Sequence, residues 1–152
     1  MNYTSKNFRF KVKYNTATSV QIKEVKSIFL SRGELIVDTG EMFLRPESQE
    51  DVELLMASDY RTDFLTTIWE GDIIQNLTSK ELVVVKYNVG DMFVVYNPEC
   101  CRYCKDDKGC IMSLEDWYHS NCHEGIDVVG NIYENYELLI KQEAERKHKH
   151  GN

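Results

Sequence analysis

All five cysteines of this 152-residue chain lie within residues 100–122. They are Cys100, Cys101, Cys104, Cys110 and Cys122. Two residues separate Cys101 from Cys104, which is the spacing at which two thiolates converge on one zinc ion. We predict a closed, tetrahedral, structural Zn2+ site formed by Cys101, Cys104, Cys110 and Cys122, because zinc prefers soft thiolate ligands.

Neighbouring residues offer alternatives for two of these four ligands. Cys100 can replace Cys101, and either His119 or His123 can replace Cys122, since an imidazole nitrogen also binds zinc. Disulfides are disfavoured because the expected compartment is reducing and an odd number of cysteines cannot pair completely. An iron–sulfur cluster lacks its characteristic spacing here. The segment therefore favours zinc, with two ligand positions open.

A catalytic zinc would need an open coordination position and a general base. Glu124, beside His123, is the residue that such chemistry would use. In the zinc deaminase signature, however, the His-x-Glu precedes the Cys-x-x-Cys, whereas His123 and Glu124 are adjacent and follow it. The sequence also contains no Gly-rich phosphate loop, G-x-S-x-G or H-E-x-x-H. We therefore predict a protein that is not an enzyme, with a zinc hydrolase or nuclease as an alternative.

Local signals predict the elements that position these cysteines. Residues 106–109 have the composition of a turn, which brings the chain back toward the Cys-x2-Cys pair. Ser113, three residues before Asp116, resembles a capping box and predicts a helix over residues 114–121. Cys122 then follows the end of this helix, within reach of the other ligands.

Elsewhere the hydrophobic pattern predicts mostly strands. Residues 8–14 alternate between apolar and polar, and short apolar runs separated by turn residues recur along the chain. We predict strands at residues 8–14, 20–22, 35–37, 42–44, 73–74, 82–85, 92–96 and 126–129. Ser48 and Asp51 also resemble a capping box, and Val52 and Leu55 fall on one helical face, so we predict a short helix over residues 49–58.

The end of the chain predicts one more helix. It begins with Asn135 as its N-cap residue and runs into a polar tail, residues 141–152, which we expect to fray. Together these elements predict an α+β fold with a small, mostly antiparallel, barrel-like sheet. Two or three short helices and a zinc-stapled insertion complete it.

Two motifs in this chain resemble segments of the phage YopX family. Ile68-Trp-Glu-Gly-Asp-Ile-Ile74 is similar to the family's I-Y-E-G-D-I-V. Val128-Val-Gly-Asn-Ile-Tyr-Glu-Asn-Tyr-Glu-Leu-Leu139 is similar to its closing V-I-G-N-I-Y-E-N-P-E-L-L, with Tyr136 in place of proline. The resemblance implies an α+β or mostly β fold with a barrel-like sheet, and an origin in a phage or prophage.

The resemblance also implies a division of the chain into three parts. We expect an N-terminal α+β region at residues 1–65 and a YopX-like β region at 66–140. The latter carries the cysteine-rich zinc insertion at 99–125, and the polar tail follows it at 141–152.

Composition and charge restrict the classes of function. Apolar residues make up 42% and charged residues 28%, so the chain can bury a core. No apolar run approaches a membrane span, and the N-terminus lacks an apolar signal core, which predicts a cytoplasmic protein. The formal charge of −7 argues against a general nucleic-acid binder, which needs a basic face. Residues 1–32 nevertheless carry a net +6, and residues 38–73 a net −8.

These features predict a phage-encoded, non-enzymatic inhibitor of a host defence protein, acting in the host bacterial cytoplasm. An acidic surface can occupy a channel that is built for nucleic acid. The chain thereby resembles phage-encoded anti-CRISPR proteins, and we expect a Cas9-type effector as the partner, blocked in target-DNA binding or cleavage. The alternative is a nucleic-acid-binding phage regulatory protein with a structural zinc, which would use the basic strand of Arg9, Lys11 and Lys13.

Overall fold

The computed structural model describes residues 3–4, 10–88, 91–96 and 111–150. The chain divides into two compact units, Met1–Ala57 and Ser58–Asn152. The division falls earlier than the one expected between residues 65 and 66. Every strand pair whose register is described is antiparallel, so the α+β class and the antiparallel sheets agree with the prediction.

The first unit consists of short strands joined by tight turns. Its strands are β1 (Tyr3–Thr4), β2 (Phe10–Asn15), β3 (Val20–Glu24), β4 (Ser27–Ser31), β5 (Glu34–Asp38), β6 (Phe43–Leu44) and the start of β7 (Glu53–Arg61). One sheet has the order β1-β4-β5-β6, and β2 lies between β3 and β7. The alternating apolar side chains of β2 enter a core with side chains from the neighbouring strands, namely Val12, Tyr14, Val25, Ile28, Val37, Leu44 and Val52.

The helix predicted over residues 49–58 is wrong, because the chain forms turns there and continues as β7. The Asp51 carboxylate does not cap a helix but accepts the backbone N–H of Asn15 at 3.1 Å. The backbone of β7 pairs with β2, which satisfies more hydrogen-bonding groups than an isolated short helix can retain in water. Val52 and Leu55 are nevertheless buried. Their spacing therefore indicated correctly that they lie in the core, but not that the segment is helical.

The second unit is built on one five-stranded sheet. Its strands are β8 (Thr67–Trp69), β9 (Asp72–Asn76), β10 (Leu82–Asn88), β11 (Asp91–Val95), β12 (Ile111–Ser113) and β13 (Ile126–Asn131), and its helices are α1 (Leu114–Asn121) and α2 (Glu137–His150). A short 3-10 turn, Cys122–Glu124, follows α1. The sheet order β12-β11-β10-β9-β13 is open, so the barrel-like prediction corresponds to a half-barrel.

Each face of this sheet is covered by a different helix. On one face, Leu114 and Trp117 of α1 pack with alternate strand residues such as Ile74 and Val83. On the other face, Leu139 of α2 packs with the strand residues that point the opposite way, including Ile73 and Val84. Both faces are therefore buried, which explains why these antiparallel strands have continuous apolar sequences rather than alternating ones.

The predictions for the two helices have different outcomes. The α1 prediction is confirmed, since the Ser113 hydroxyl accepts the Asp116 N–H at 3.0 Å and the helix covers the expected residues. The capping role of Asn135 is wrong, because its side-chain oxygen accepts the N–H of Asn131 at 3.1 Å and α2 begins at Glu137. The α2 helix also continues to His150, through residues that we expected to be a frayed tail.

Candidate functional site

The two family-like motifs meet at one place, which we call the motif corner: Gly71, Gly130, Asn131, Tyr133 and Asn135. Gly71 has φ +87°, and a Cβ there would lie 2.9 Å from the Tyr133 ring. A Cβ on Gly130 would lie 2.5 Å from the side-chain oxygen of Asn135. The register of β13 also shifts between Val128 and Gly130. These glycines are required by close approach, so the motif corner is a fold-defining feature.

The predicted zinc ligands are only partly within the described residues. Cys101, Cys104 and Cys110 lie outside them, as does Cys100. Cys122 is exposed at the end of α1, with its thiol 3.8 Å from the backbone oxygen of His119. Across residues 3–4, 10–88, 91–96 and 111–150, no three His, Cys, Asp or Glu side chains are grouped in a way that could hold a metal ion. The zinc site remains a prediction.

The sheet determines where the connection between β11 and β12, residues 96–110, begins and ends; this connection contains four of the five cysteines. Val95 of β11 pairs with Ile111 of β12, so the intervening chain leaves and re-enters the sheet at neighbouring positions. Strands β9 and β11 run in the same direction, because each pairs antiparallel with β10. The last residue of β9, Asn76, therefore lies at the end where the chain leaves β11. Asn121 contacts Asn76, which places Cys122 at that same end of the sheet.

Asn76 holds the end of α1 against the sheet. It is 2% exposed, and its side-chain nitrogen donates to Asn121 Oδ1 at 2.8 Å and to Glu124 Oε2 at 2.5 Å. Its side-chain oxygen accepts the backbone N–H groups of Thr78 and Ser79, both at 2.9 Å. Glu124, which a catalytic zinc would use as a base, is thus bonded to a buried amide.

An open pocket of about 670 Å3 lies beside the beginning of α1. Its wall combines aromatic and thioether surface with two carboxylates. The lining residues are Tyr60, Asp91, Met92, Phe93, Met112, Ser113, Leu114 and Glu115. They come from β7, from β11 and from the consecutive β12 and α1, and the pairing of β12 with β11 brings the last two beside β11. No motif or local spacing connects these residues, so the pocket has no signal in the sequence.

Tyr60 is held in the pocket wall through its ring and its backbone. Its ring packs on that of Tyr118 with 4.6 Å between centroids, and the Tyr118 hydroxyl donates to the Arg61 backbone oxygen at 2.9 Å. The pKa of Tyr60 is raised, first by burial and then by the negative charges of Glu115 and Asp59. Asp116 contributes in the same direction. Carboxylates from β7 and α1 therefore create a negative potential at this ring.

The acidic stretch of residues 38–73 is divided between the two units. Its exposed carboxylates in the first unit are Glu41, Glu47, Glu50 and Glu53, and those in the second are Asp59 and Asp63. In the second unit, Glu115 and Asp116, which lie far outside that stretch, raise the pKa of Tyr60 as Asp59 does. The acidic stretch in the sequence therefore accounts for only part of the negative charge near Tyr60. The rest comes from α1.

Lys11 and Lys13 of the basic strand each lie opposite an acidic residue. The register places Glu24 of β3 opposite Lys11, and Glu53 of β7 opposite Lys13. The Lys13 ammonium lies 3.7 Å from the Glu53 carboxylate. Arg9 lies outside the described residues. Opposite charges on neighbouring strands weaken the attraction of Lys11 and Lys13 for phosphates.

The fold and the motif corner together define a small α+β protein made of antiparallel sheets. The family described as YopX protein matches residues 7–140, and the chain belongs to the YopX family. The match indicates a phage-like protein, and it extends well into the first unit, beyond the two motifs.

Among solved structures, the chain is similar to that of protein EF1440 from Enterococcus faecalis. The two share 17% identity with a TM-score of 0.46, over 87% of this chain and 99% of the other. No curated protein matches the sequence. In the described part of the chain, no helix is both long and apolar enough to cross a membrane.

Proposed function

We propose that this protein is a phage-encoded, non-enzymatic inhibitor that binds a basic surface of a host defence effector in the bacterial cytoplasm. The partner that we infer is a Cas9-type CRISPR effector, in which bound protein would block target-DNA binding or cleavage. Such effectors hold nucleic acid in positively charged channels, and an acidic protein surface can compete for those channels.

The observation that carries this proposal is the convergence of carboxylates around Tyr60. Glu115, Asp59 and Asp116 all raise the pKa of that tyrosine, although they come from two segments of the chain. All three side chains are exposed, and their backbones belong to β7 or to α1. Fixed charges of one sign accelerate and orient association with an oppositely charged surface.

We further propose a structural Zn2+ bound by Cys101, Cys104, Cys110 and Cys122. The exposure of Cys122, and its place at the end of the sheet where the chain leaves β11, support this. Two interstrand spacings, about 10 Å, separate β9 from β11, a distance that a connection of this length spans easily. When bound, the ion would close this long connection and hold it against the end of α1.

The test of the inhibitor proposal is complex formation with purified, guide-loaded Cas9 from candidate hosts. We expect co-elution in gel filtration and loss of target-DNA cleavage, both weakening as salt is raised. A triple variant (Asp59→Asn, Glu115→Gln and Asp116→Asn) should weaken inhibition about tenfold or more, since each exposed pair contributes a fraction of a kcal/mol.

A second triple variant is the matched control, because it removes the same charge from exposed positions elsewhere in the second unit. Its substitutions are Glu134→Gln, Glu137→Gln and Glu145→Gln. Equal loss in both variants would show that only net charge matters. Failure to bind any Cas9 would reject this partner, and a gel shift at low salt would instead favour the nucleic-acid-binding alternative.

The zinc proposal is tested by elemental analysis and chelation. We expect one zinc per chain, a lower melting temperature after chelation, and loss of the metal in Cys101→Ser, Cys104→Ser and Cys122→Ser. Cys100→Ser and His119→Ala should retain it. An unchanged melting temperature after complete removal of zinc would show that the ion is not structural, and detectable hydrolytic turnover lost in Glu124→Gln would favour the enzyme alternative.

A further inference from the structure

The pocket beside α1 has a composition that selects for one kind of side chain. Its wall offers the aromatic groups Tyr60 and Phe93, and the flexible thioethers of Met92 and Met112. Glu115 adds a carboxylate that is exposed to solvent. A volume of about 670 Å3 is within the range of sites that hold small organic groups.

We propose that this pocket binds the side chain of an arginine presented by the protein partner. The inference rests on the proposed function, since it names the chemistry by which the partner is recognised. A guanidinium is planar, so it can stack on an aromatic ring while its N–H groups bind carboxylates such as those of Asp91 and Glu115. Its aliphatic stem can pack on the adaptable surface of Met92 and Met112.

The wall that would receive the guanidinium is held in place before any partner binds. The Tyr60 backbone N–H donates to the hydroxyl of Ser58 at 3.1 Å, and Ser58 is only 5% exposed. The Tyr60 ring packs on Tyr118, whose hydroxyl is itself bonded to the backbone of Arg61. Glu115 lies in the first turn of a capped helix. A preorganised wall reduces the entropy that binding would otherwise cost.

Arginine fits this pocket better than lysine does. An ammonium is strongly hydrated and cannot present parallel N–H groups to two carboxylates, whereas a guanidinium is weakly hydrated and can. An apolar side chain would satisfy the methionines but would leave Asp91 and Glu115 partly desolvated without a counter-charge. Arginine side chains are also typical of protein surfaces that bind nucleic-acid phosphates, which connects this pocket to the proposed class of partner.

The test uses the full chain, labelled with 13C at the methionine methyl groups, and three short blocked peptides as probes. The peptides are Gly-Arg-Gly, Gly-Lys-Gly and Gly-citrulline-Gly, of which citrulline matches arginine in shape but is uncharged. We expect the arginine peptide to shift the Met92 and Met112 methyl signals in a saturable, salt-sensitive way. Met42 and Met56 belong to the first unit and serve as internal references.

Two single variants connect the shifts to the pocket. Glu115→Gln and Asp91→Asn should each weaken binding of the arginine peptide by about twofold to fivefold, the range for one exposed ion pair. Glu145→Gln removes the same charge from α2 and should have no effect. The replaced side chains are exposed, and unchanged Met42 and Met56 signals with an unchanged melting temperature would verify the fold.

Several results would overturn the inference: no shift of Met92 and Met112, equal shifts with citrulline, tighter binding of the lysine peptide, or an equal loss in Glu145→Gln. These results are independent of the partner's identity. Arginine binding without any Cas9 complex would support the pocket and reject the partner. A Cas9 complex that forms equally well with Glu115→Gln and Asp91→Asn, without peptide binding, would reject the pocket and retain the proposed function.

Discussion

The motif corner and the segment that carries α1 differ in how their side chains are used. In the motif corner, Gly71 and Gly130 allow side chains from the other motif to pack directly on the backbone. In residues 111–124, which we call the α1 excursion, Leu114 and Trp117 are buried while most of the other side chains face solvent. The motif corner is tightly packed and defines the fold. The α1 excursion carries exposed charges, part of the pocket wall and Cys122. Sites of interaction are expected in the second kind of region.

The greatest loss of stability is expected for a substitution that tests whether the α1 excursion is anchored to the core. Trp117 is 2% exposed and packs with residues of the sheet, so Trp117→Ala should lower the free energy of unfolding by about 3 to 5 kcal/mol. Chemical denaturation measures this difference. Glu115→Ala, two residues away on the exposed side of the helix, is the control and should change stability by less than about 0.5 kcal/mol. A loss below about 1 kcal/mol for Trp117→Ala would mean that α1 is not part of the core.

The next effect tests whether the motif corner depends on close approach. Gly71 and Gly33 both have positive φ, +87° and +79°, but only Gly71 would bring a Cβ close to another side chain. Gly33→Ala should cost about 1 kcal/mol from backbone strain alone, whereas Gly71→Ala should cost about 2 to 4 kcal/mol, because it adds a clash with Tyr133. If thermal denaturation shows equal losses of stability for Gly33→Ala and Gly71→Ala, close approach to Tyr133 does not constrain Gly71.

A smaller effect concerns Asn76, which connects the α1 excursion to β9. Asn76→Ala removes bonds to Asn121, Glu124 and two backbone N–H groups, and should cost about 1 to 3 kcal/mol. Asn76→Asp is more informative, because it places a second carboxylate beside Glu124. Its destabilisation should increase as the pH rises and both groups ionise. Denaturation at several pH values measures this slope, and a pH-independent loss would argue against the contact.

The smallest effect is the alkaline titration of Tyr60. Burial and nearby carboxylates raise the pKa of this group above its ordinary value of 10.0. The folded state then favours neutral Tyr60, and the stability that results is present below the ordinary pKa and is lost as the pH rises through the raised one. Tyr60→Phe should remove this part of the alkaline loss. Glu115→Gln should remove less of it, because burial is the first cause of the shift.

Particular residues show which predictions the sequence supported. Ser113 and Asp116 predicted the start of α1 correctly. The Ser113 hydroxyl accepts the backbone N–H of Asp116, so the cap is formed by residues that are neighbours in the sequence. Ser48 and Asp51 carry the same signal, yet the Ser48 hydroxyl donates to Glu34 at 2.5 Å and Asp51 binds Asn15. Those partners come from distant parts of the chain, and the pairing of β7 with β2 outweighs a weak local helix preference.

From consecutive residues alone we could predict most strands, the helix before Cys122 and the family, and could see that all cysteines lie in one segment. These features depend on local composition, spacing and turn residues, which are written in consecutive positions. Three features became visible only in the folded chain: β7 is a strand, Asn76 holds the end of α1, and Tyr60 shares a pocket with Glu115. These outcomes depend on strand register, which joins residues far apart in the chain and leaves no local pattern.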